Sequence, residues 1–136
     1  QLVYGYAVGI DMTRRDLQSA AKEKRQPWEA GKSFVHAAPC SAITPVKEAG
    51  LIDDAMICLS VNEQLRQLGY IKQMIWKIPE IISRLSDLFP LNAGDLIYTG
   101  TPAGVGPIQI GDQLQANVSG LSRLMFKITA PLNSIS

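Results

Sequence analysis

Apolar and polar residues alternate in several short stretches of the chain. Residues 2–10 form an apolar, β-branched and aromatic run that predicts a strand. Alternation in the segment "ICLSV", a turn near Asn62 and Glu63, and a short return predict a β-hairpin. Further strands, joined by Gly and Pro turns, are predicted for "GDLIYTG", "GDQLQANV" and "SRLMFKI".

Helical spacing dominates two other stretches. Residues 13–24 have the composition of a helix, and Thr13 followed by Asp16 three positions later predicts a capping box at its start. From residue 72 to residue 88 apolar side chains recur at helical spacing, with Pro79 as the one irregularity. We expect this apolar stripe to pack against the core.

The order of these elements favours a mixed α and β fold. Residues 25–45 carry three prolines and one glycine among short apolar pieces, which predicts a loop with one or two short strands. No internal repeat, low-complexity segment or linker interrupts the sequence. We therefore expect a single domain over residues 1–136, of the α+β class, with a bent, mostly antiparallel sheet and a few helices.

Composition limits the classes of function. The chain has 136 residues, 46% hydrophobic content and a net charge of +1, which is typical of one soluble globular domain. Its scattered charges give no electrostatic argument for binding nucleic acid or an anionic membrane. The apolar runs are broken well short of the roughly 20 residues that cross a bilayer. Cys40 and Cys58 fit no zinc motif, so we expect reduced thiols and a cytoplasmic protein.

Two candidate motifs are weak. His36 has no serine or cysteine partner in a recognisable motif, which favours an ordinary loop histidine. The segment "TGTPAGVG", residues 99–106, is rich in glycine but lacks the Gly-Lys-Ser/Thr ending of a P-loop. It is either a turn whose backbone closely approaches a ligand or a plain structural turn.

Asp11 is more informative, because it stands where a buried strand is predicted to stop. A buried carboxylate must be paired, hydrogen-bonded or metal-bound. Arg15 and Gln18 are three positions apart and share a helix face. The extended reach of residues 25–31 is about 23 Å, enough to return Lys32 beside Asp11 after the helix. Such a set suits a divalent cation and an anionic, oxygen-rich ligand.

Four segments together carry a family resemblance. They are "GYAVGIDMTRRDLQ", "WEAGKSF", "VNEQLRQ" and "LNAGDLIYTGTPAGVGPIQIGDQLQANVSGL". In this order and spacing the chain resembles the fumarylacetoacetate hydrolase family, in particular its acylpyruvase and oxaloacetate decarboxylase-like branch. The resemblance implies the mixed β-sandwich roll of that family and a homodimer.

The resemblance also implies roles for individual residues. A divalent metal, Mg2+ or Mn2+, would be held by three carboxylates, of which Asp11 is one and two come from an upstream Glu-x-Glu-type segment. Lys32 would balance the charge that develops on a pyruvate enolate and so be catalytic. Thr101 and neighbouring backbone N–H groups would hold the substrate carboxylate. The implied substrate-binding residues are Arg15, Gln18, Lys32, Gly100 and Thr101.

The activity implied is that of a metal-dependent hydrolase that cleaves a C–C bond in acylpyruvates, which are 2,4-dioxo acids, to give pyruvate and a carboxylic acid. Decarboxylation, hydration or isomerisation of related oxo acids is the alternative within the family. The segment "VNEQLRQ" replaces the more usual Val-Asn-Gly-Glu turn, which leaves the choice of substrate open. A non-catalytic binding or dimerisation fragment is the alternative of another class.

The start of the chain bears on that alternative. The sequence opens with Gln1 inside a predicted strand, and it contains neither the family's Glu-x-Glu-type segment nor its lid with a Glu and His pair. We therefore expect a further segment upstream. We also expect these 136 residues alone to bind Mg2+ weakly and to show no turnover, since Asp11 supplies one carboxylate and no lid base is present.

Overall fold

A computed structural model describes residues 3–130 of the chain. Within this range the α-helices and strands alternate in a mixed order, with two short 3-10 helices at Glu29–Gly31 and Ile71–Gln73. The elements are β1 (Gly5–Tyr6), α1 (Arg15–Glu23), β2 (Thr44–Pro45), α2 (Val46–Ala49), β3 (Met56–Val61), β4 (Gln64–Tyr70), α3 (Ile78–Ser86), β5 (Gln113–Val118) and β6 (Leu124–Lys127). Every strand pair is antiparallel, which confirms the expected α+β class.

A four-stranded sheet in the order β4-β3-β5-β6 forms the best-packed part of the protein. Side chains along β5 alternate between buried and partly exposed, as expected for a strand with one face on the core. Leu114 on β5 is 1% exposed, and Val118 pairs with Ile57 of β3. The core cluster contains Val8, Ala116, Val118 and Leu124. Val8 belongs to the N-terminal segment, so that segment is anchored on this sheet.

The predicted hairpin is confirmed by β3 and β4. Asn62 and Glu63 form its two-residue turn, with φ angles of 50° and 65°. Two consecutive positive φ values define the turn type whose twist matches that of the flanking strands. The pairing changes register between Leu59 and Ser60, where a bulge interrupts the ladder.

The strand predicted over residues 2–10 is much shorter in the structure, and Leu2 lies outside the described residues. Regular pairing is limited to β1 and β2, followed by an isolated bridge between Gly9 and Cys40. The partner segment contains Pro39 and Pro45, which have no backbone N–H to donate to a ladder. The prediction of loop with a short strand for residues 25–45 is confirmed by β2.

The segment "GDLIYTG" was expected to be a strand, and this prediction is wrong. Residues 94–100 have no regular secondary structure and meet no partner strand in the described part of the chain. Leu96 is 57% exposed, so the apolar pattern of this segment is not matched by burial. Residues 113–118 and 124–127 confirm the two other strands predicted near the C-terminus.

Both predicted helices need correction. Helix α1 begins at Arg15, and no side chain caps it, so the capping box of Thr13 and Asp16 is wrong. The second helix begins at Ile78 rather than near residue 72, with Pro79 in its first turn, where a missing N–H costs no intrahelical hydrogen bond. None of the residues of α3 is fully buried, so core packing of its apolar stripe is not observed in residues 3–130.

Across the described range, no helix has the length and apolar character needed to cross a membrane. Cys40 and Cys58 are both free.

Candidate metal and substrate site

Asp11 lies on an extended segment that is fastened to the loop before β2. The Ile10 N–H donates to the Pro39 carbonyl at 3.0 Å, and the Met12 N–H donates to the Ala37 carbonyl at 2.8 Å. These bonds flank Asp11 on both sides, so its backbone is fixed although it belongs to no regular strand. The Asp11 side chain is 53% exposed, so the expectation of a buried carboxylate is wrong, and the group is accessible to a ligand.

Lys32 follows α1 and the 3-10 turn along the chain, and its side chain contacts Asp11. Its Nζ lies 2.7 Å from Asp11 Oδ2 and donates to Thr13 Oγ1 at 2.8 Å. The Arg14 N–H donates to the Gly31 carbonyl at 2.9 Å, which ties the 3-10 turn before Lys32 to the start of α1. The predicted return of Lys32 to the side of Asp11 is confirmed.

Arg15 and Gln18 form a second pair on the first turn of α1. Arg15 Nη1 donates to Gln18 Oε1 at 2.7 Å, and Gln18 is buried. Gly31 packs directly on this residue, since a Cβ atom at Gly31 would stand 3.2 Å from Gln18 Cβ. The shared helix face is confirmed. Within residues 3–130, neither Arg15 nor Gln18 is hydrogen-bonded to Asp11 or Lys32, so the predicted set is organised as two separate pairs.

Thr101 belongs to a glycine-containing loop that is held against β4. Gln67 Nε2 donates to Thr101 Oγ1 at 2.8 Å and to the Pro102 carbonyl at 2.7 Å. Gly100 has a φ of 103°, a region that side chains rarely adopt, so the chain turns there just before Thr101. Thr101 itself is exposed, which leaves its side chain accessible beside the anchored backbone.

Tyr98 connects this loop to the segment that carries Asp11. Its ring lies against Gly9, where an added Cβ would stand 2.6 Å from the ring, and its hydroxyl donates to the Ala38 carbonyl at 2.7 Å. Burial raises the pKa of the Tyr98 hydroxyl, and the neighbouring Cys40 and Asp11 raise this pKa further. Thr101 follows three residues later, within about 10 Å of chain. Tyr98 therefore links the chain segment of Thr101 to the segment of Asp11.

The donor atoms around Asp11 suit a hard cation, but their number is too small to hold one alone. Mg2+ takes oxygen ligands, and the Asp11 carboxylate and the Thr13 hydroxyl are of that kind. Among the residues that the structure describes, no group of three or more His, Cys, Asp or Glu side chains is placed to hold a metal. Asp11 could thus be one ligand among several, with the others supplied by water, by substrate or by other parts of the protein.

One further predicted residue, His36, and two concavities lie outside this cluster. His36 lies in a loop, as expected, and is exposed at a φ of 63°. The ordinary hydrogen bonds expected for it are not observed, since its side chain makes none within residues 3–130. Two concavities of about 420 Å³ and 320 Å³ lie beside α3 and on the sheet, respectively, and neither is lined by Asp11, Lys32 or Thr101.

Sequence reasoning missed three residues that build this site. Thr13 was assigned to helix capping, whereas its hydroxyl accepts from Lys32 and donates to the Asp11 carbonyl at 3.4 Å. Tyr98 was assigned to a strand, and Gln67 to the return of the hairpin. For Gln67 the sequence offers no usable signal, because the neighbouring apolar residues Leu65 and Leu68 are exposed while Gln67 is buried.

Comparisons with known proteins add to this geometry. The family model described as "Fumarylacetoacetate (FAA) hydrolase C-terminal" matches residues 1–129. A fumarylpyruvate hydrolase from Ralstonia sp is 42% identical over 128 residues, covering 94% of this chain and 66% of that protein. A mitochondrial oxaloacetate tautomerase from Homo sapiens is 43% identical over 129 residues, covering 95% of this chain and 58% of that protein.

Solved structures agree with the sequence relatives. The crystal structure of fumarylpyruvate hydrolase from Pseudomonas aeruginosa in complex with Mn2+ and pyruvate superposes with a TM-score of 0.90 at 43% identity. The match covers 93% of this chain and 55% of that one. The chain thus spans between about half and two thirds of the length of the proteins it matches. With nearly all of its residues matched by the family model, the chain belongs to the fumarylacetoacetate hydrolase family.

Proposed function

We propose that this protein is a divalent-metal-dependent hydrolase that cleaves acylpyruvates. Water adds to the acyl carbonyl, the bond between the acyl carbon and the methylene group breaks, and its electron pair remains on the methylene as a pyruvate enolate. Protonation of that enolate gives pyruvate, and the acyl group leaves as a carboxylic acid. The observation that carries the proposal is the Lys32 ammonium, held 2.7 Å from the exposed Asp11 carboxylate.

The relatives support this choice of reaction. The Ralstonia protein is named a fumarylpyruvate hydrolase, and the Pseudomonas aeruginosa structure holds Mn2+ and pyruvate, a metal and the common product of acylpyruvate cleavage. Asp11 would contribute one carboxylate to a Mg2+ or Mn2+ ion. When bound, such an ion polarises substrate oxygens as a Lewis acid.

Lys32 is placed to stabilise the enolate. An ammonium group has three N–H donors, and two of these point to Asp11 and Thr13. The third has no acceptor among the described residues, so it is free to donate to a substrate oxygen. Because the first two bonds fix the position of Nζ, the third donor is oriented before substrate arrives. Donors of this kind stabilise charge that develops in the transition state.

Arg15 and Thr101 would bind the substrate's anionic ends. Arg15 uses one of its five N–H donors on Gln18, which orients the guanidinium and leaves the other donors for a carboxylate. Thr101 presents a hydroxyl from the anchored loop after Gly100, whose backbone is available to the same ligand. We propose that these residues, with Gln18 and Lys32, bind the dioxo acid.

A second function has support from relatives at a similar identity. The mitochondrial oxaloacetate tautomerase of Homo sapiens is 43% identical to this chain. Tautomerisation and decarboxylation of oxaloacetate also pass through an enolate, so Lys32 would serve the same electrostatic purpose. Hydrolysis differs in requiring water to attack a carbonyl carbon. Product analysis therefore separates these reactions, because hydrolysis gives pyruvate and a second carboxylic acid, tautomerisation gives an isomer of the same acid, and decarboxylation gives pyruvate and CO2.

The intact protein should be assayed with fumarylpyruvate, acetylpyruvate and oxaloacetate in Mg2+ and in Mn2+, with a chelator as the metal-free control. We expect pyruvate and a second carboxylic acid from the acylpyruvates, and loss of turnover with the chelator. Turnover of oxaloacetate alone would replace the hydrolase by the second function. An absence of turnover on every substrate would leave the non-catalytic binding or dimerisation function as the better account.

We also propose a homodimer in the cytoplasm. Many large apolar side chains of the described range are exposed, among them Leu65 and Leu68 on β4 and Met125 on β6, and a second copy could cover such a surface. Two free cysteines are compatible with a reducing compartment. Light scattering on the purified protein would test the dimer, with a monomer mass as the contrary result.

A further inference from the structure

In the contact between strand β4 and the loop after Gly100, the side-chain donor belongs to β4 and its two acceptors belong to the loop. Gln67 is 8% exposed, so its amide is almost removed from water. Its Nε2 atom lies 2.8 Å from Thr101 Oγ1 and 2.7 Å from the Pro102 carbonyl oxygen. One nitrogen with two hydrogens thus meets two oxygens, one from a side chain and one from the backbone.

The Pro102 carbonyl decides which way the amide points. A carbonyl oxygen accepts hydrogen bonds and cannot donate, so the –NH2 end of Gln67 and not its oxygen must face it. The same –NH2 group then faces Thr101, and its second hydrogen is donated to Oγ1. The hydroxyl of Thr101 is an acceptor in this bond. Its own hydrogen must be donated in another direction.

Close packing holds this arrangement in place. A Cβ atom at Gly69 would stand 2.9 Å from the Pro102 side chain, and one at Gly104 would collide with the Arg66 carbonyl. Gly104 also has a φ of 102°, which favours glycine. The loop therefore lies directly on β4 on both sides of Gln67. Thr101 is exposed, so the free direction of its hydroxyl is toward solvent and toward a ligand.

We propose that Gln67 is a positioning residue that forces the Thr101 hydroxyl to donate to the ligand, and so selects a carboxylate at this subsite. The inference rests on the proposed function, in which Thr101 binds the substrate carboxylate. A hydroxyl that is free to rotate can face either a donor or an acceptor on a ligand. With Gln67 as its fixed donor, Thr101 presents a hydrogen to the ligand, and a carboxylate is the strongest acceptor for it.

A double-mutant cycle tests whether Gln67 acts through the Thr101 hydroxyl. The variants are Gln67→Met, Thr101→Val and the double substitution in the intact protein, with pyruvate as the probe and Mn2+ present. We expect each single substitution to weaken pyruvate binding about tenfold, the size typical of a hydrogen bond to a charged group. In the Thr101→Val background, Gln67→Met should weaken it less than about twofold.

Controls separate positioning from general damage to the loop. Thr101→Ser keeps a hydroxyl and should retain most of the affinity, whereas Gln64→Leu, on the exposed start of β4, should change nothing. Melting temperatures identify variants that fail to fold, and Gln67→Leu then replaces Gln67→Met. Leucine also removes the amide donor without placing a charge against the Pro102 carbonyl, so the same coupling with Thr101→Val is expected.

The outcomes distinguish this inference from the proposed function. If the unmodified protein binds pyruvate with Mn2+ but the two substitutions act additively, Gln67 affects the loop without directing the hydroxyl, and the inference is wrong. Unchanged binding in Gln67→Met would also overturn it. If the unmodified protein does not bind pyruvate at all, the proposed function fails, and the subsite assignment fails with it.

Discussion

The four-stranded sheet and the segment that carries Asp11 are held together in different ways. In the sheet, β3 and β5 pair in an unbroken antiparallel register, burial alternates along β5, and Leu114 is fully buried. The Asp11 segment has two-residue strands and single backbone bonds to the loop before β2, and its functional side chains are exposed. The sheet is thus a packed scaffold, whereas the site is a polar surface whose geometry is set by individual hydrogen bonds. Substitutions in the two regions should therefore affect different quantities.

The largest effect is expected from Asp11→Asn. If Asp11 is a metal ligand, its loss should abolish metal-dependent turnover. Removing a residue that only hydrogen-bonds to a metal ligand lowers metal affinity or activity by roughly 10- to 100-fold, and removing the ligand itself should have a larger effect. Because the side chain is half exposed, the melting temperature should barely change. Asp54→Asn is the matched control, since Asp54 also pairs with a lysine, Lys72, at 3.2 Å. Full turnover of Asp11→Asn at limiting metal would remove Asp11 from the site.

In the scaffold, Leu114→Ala should reduce the free energy of unfolding by about 2–5 kcal/mol, the usual cost of a cavity at a fully buried leucine. Turnover per folded molecule should be preserved. Met125→Ala, on the adjacent strand and largely exposed, should cost much less. Urea unfolding measures the effect. A turnover loss in Leu114→Ala that exceeds its unfolded fraction would show that scaffold and site are coupled.

Lys32→Met should raise the activation barrier by about 2–4 kcal/mol, because an ammonium facing the enolate acts mainly in the transition state. Steady-state kinetics should show a fall in kcat that exceeds the rise in KM. Lys72→Met is the control, because it removes the lysine of the ion pair with Asp54, and it should leave kcat and KM unchanged. If only KM changed in Lys32→Met, the lysine would belong to ground-state binding instead.

The smallest effect is expected at Asp112, which joins the hairpin turn to the sheet. The Gln109 N–H and the Asn62 side chain donate to its carboxylate, and together with Arg66 they hold the pKa of Asp112 below its ordinary value. A lowered pKa in the folded state stabilises the protein above the pKa of the unfolded chain, and this stabilisation is lost as pH falls through the folded value.

Asp112→Asn should therefore reduce stability at neutral pH. The difference from the unmodified protein should shrink as the pH falls below about 4, the ordinary range for an aspartate. Urea unfolding at several pH values measures this. A difference that stays constant from neutral to acidic pH would show that the carboxylate charge contributes nothing to folding.

The four-stranded sheet was easier to predict from the sequence than the segment that carries Asp11. The hairpin, β5 and β6 were predictable because the period-2 pattern and the Asn62 turn are local signals. The capping of α1 was wrong because Thr13 has a partner, Lys32, nineteen positions away, and no local pattern encodes that contact. Residues 94–100 resemble a strand in composition, yet pairing depends on a neighbour that composition does not reveal.

The site residues were only partly predictable. The reach of the chain was enough to bring Lys32 beside Asp11, since a length limit is a simple geometric argument. Their proposed roles came from the family resemblance and stay predictions. The anchoring of Thr101 by Gln67 spans 34 positions and depends on the close approach of two segments, which hydropathy does not indicate.

A crystal structure of the intact protein with Mn2+ and pyruvate would test the central claim most directly, because anomalous scattering locates the metal independently of any assay. Our account predicts a Mn2+ ion within about 2.3 Å of an Asp11 carboxylate oxygen, as expected for direct coordination of a hard cation. Pyruvate should lie between Lys32 Nζ and the Thr101 hydroxyl. A metal bound elsewhere, or pyruvate without contact to Lys32, would contradict the assignment of this surface as the active site.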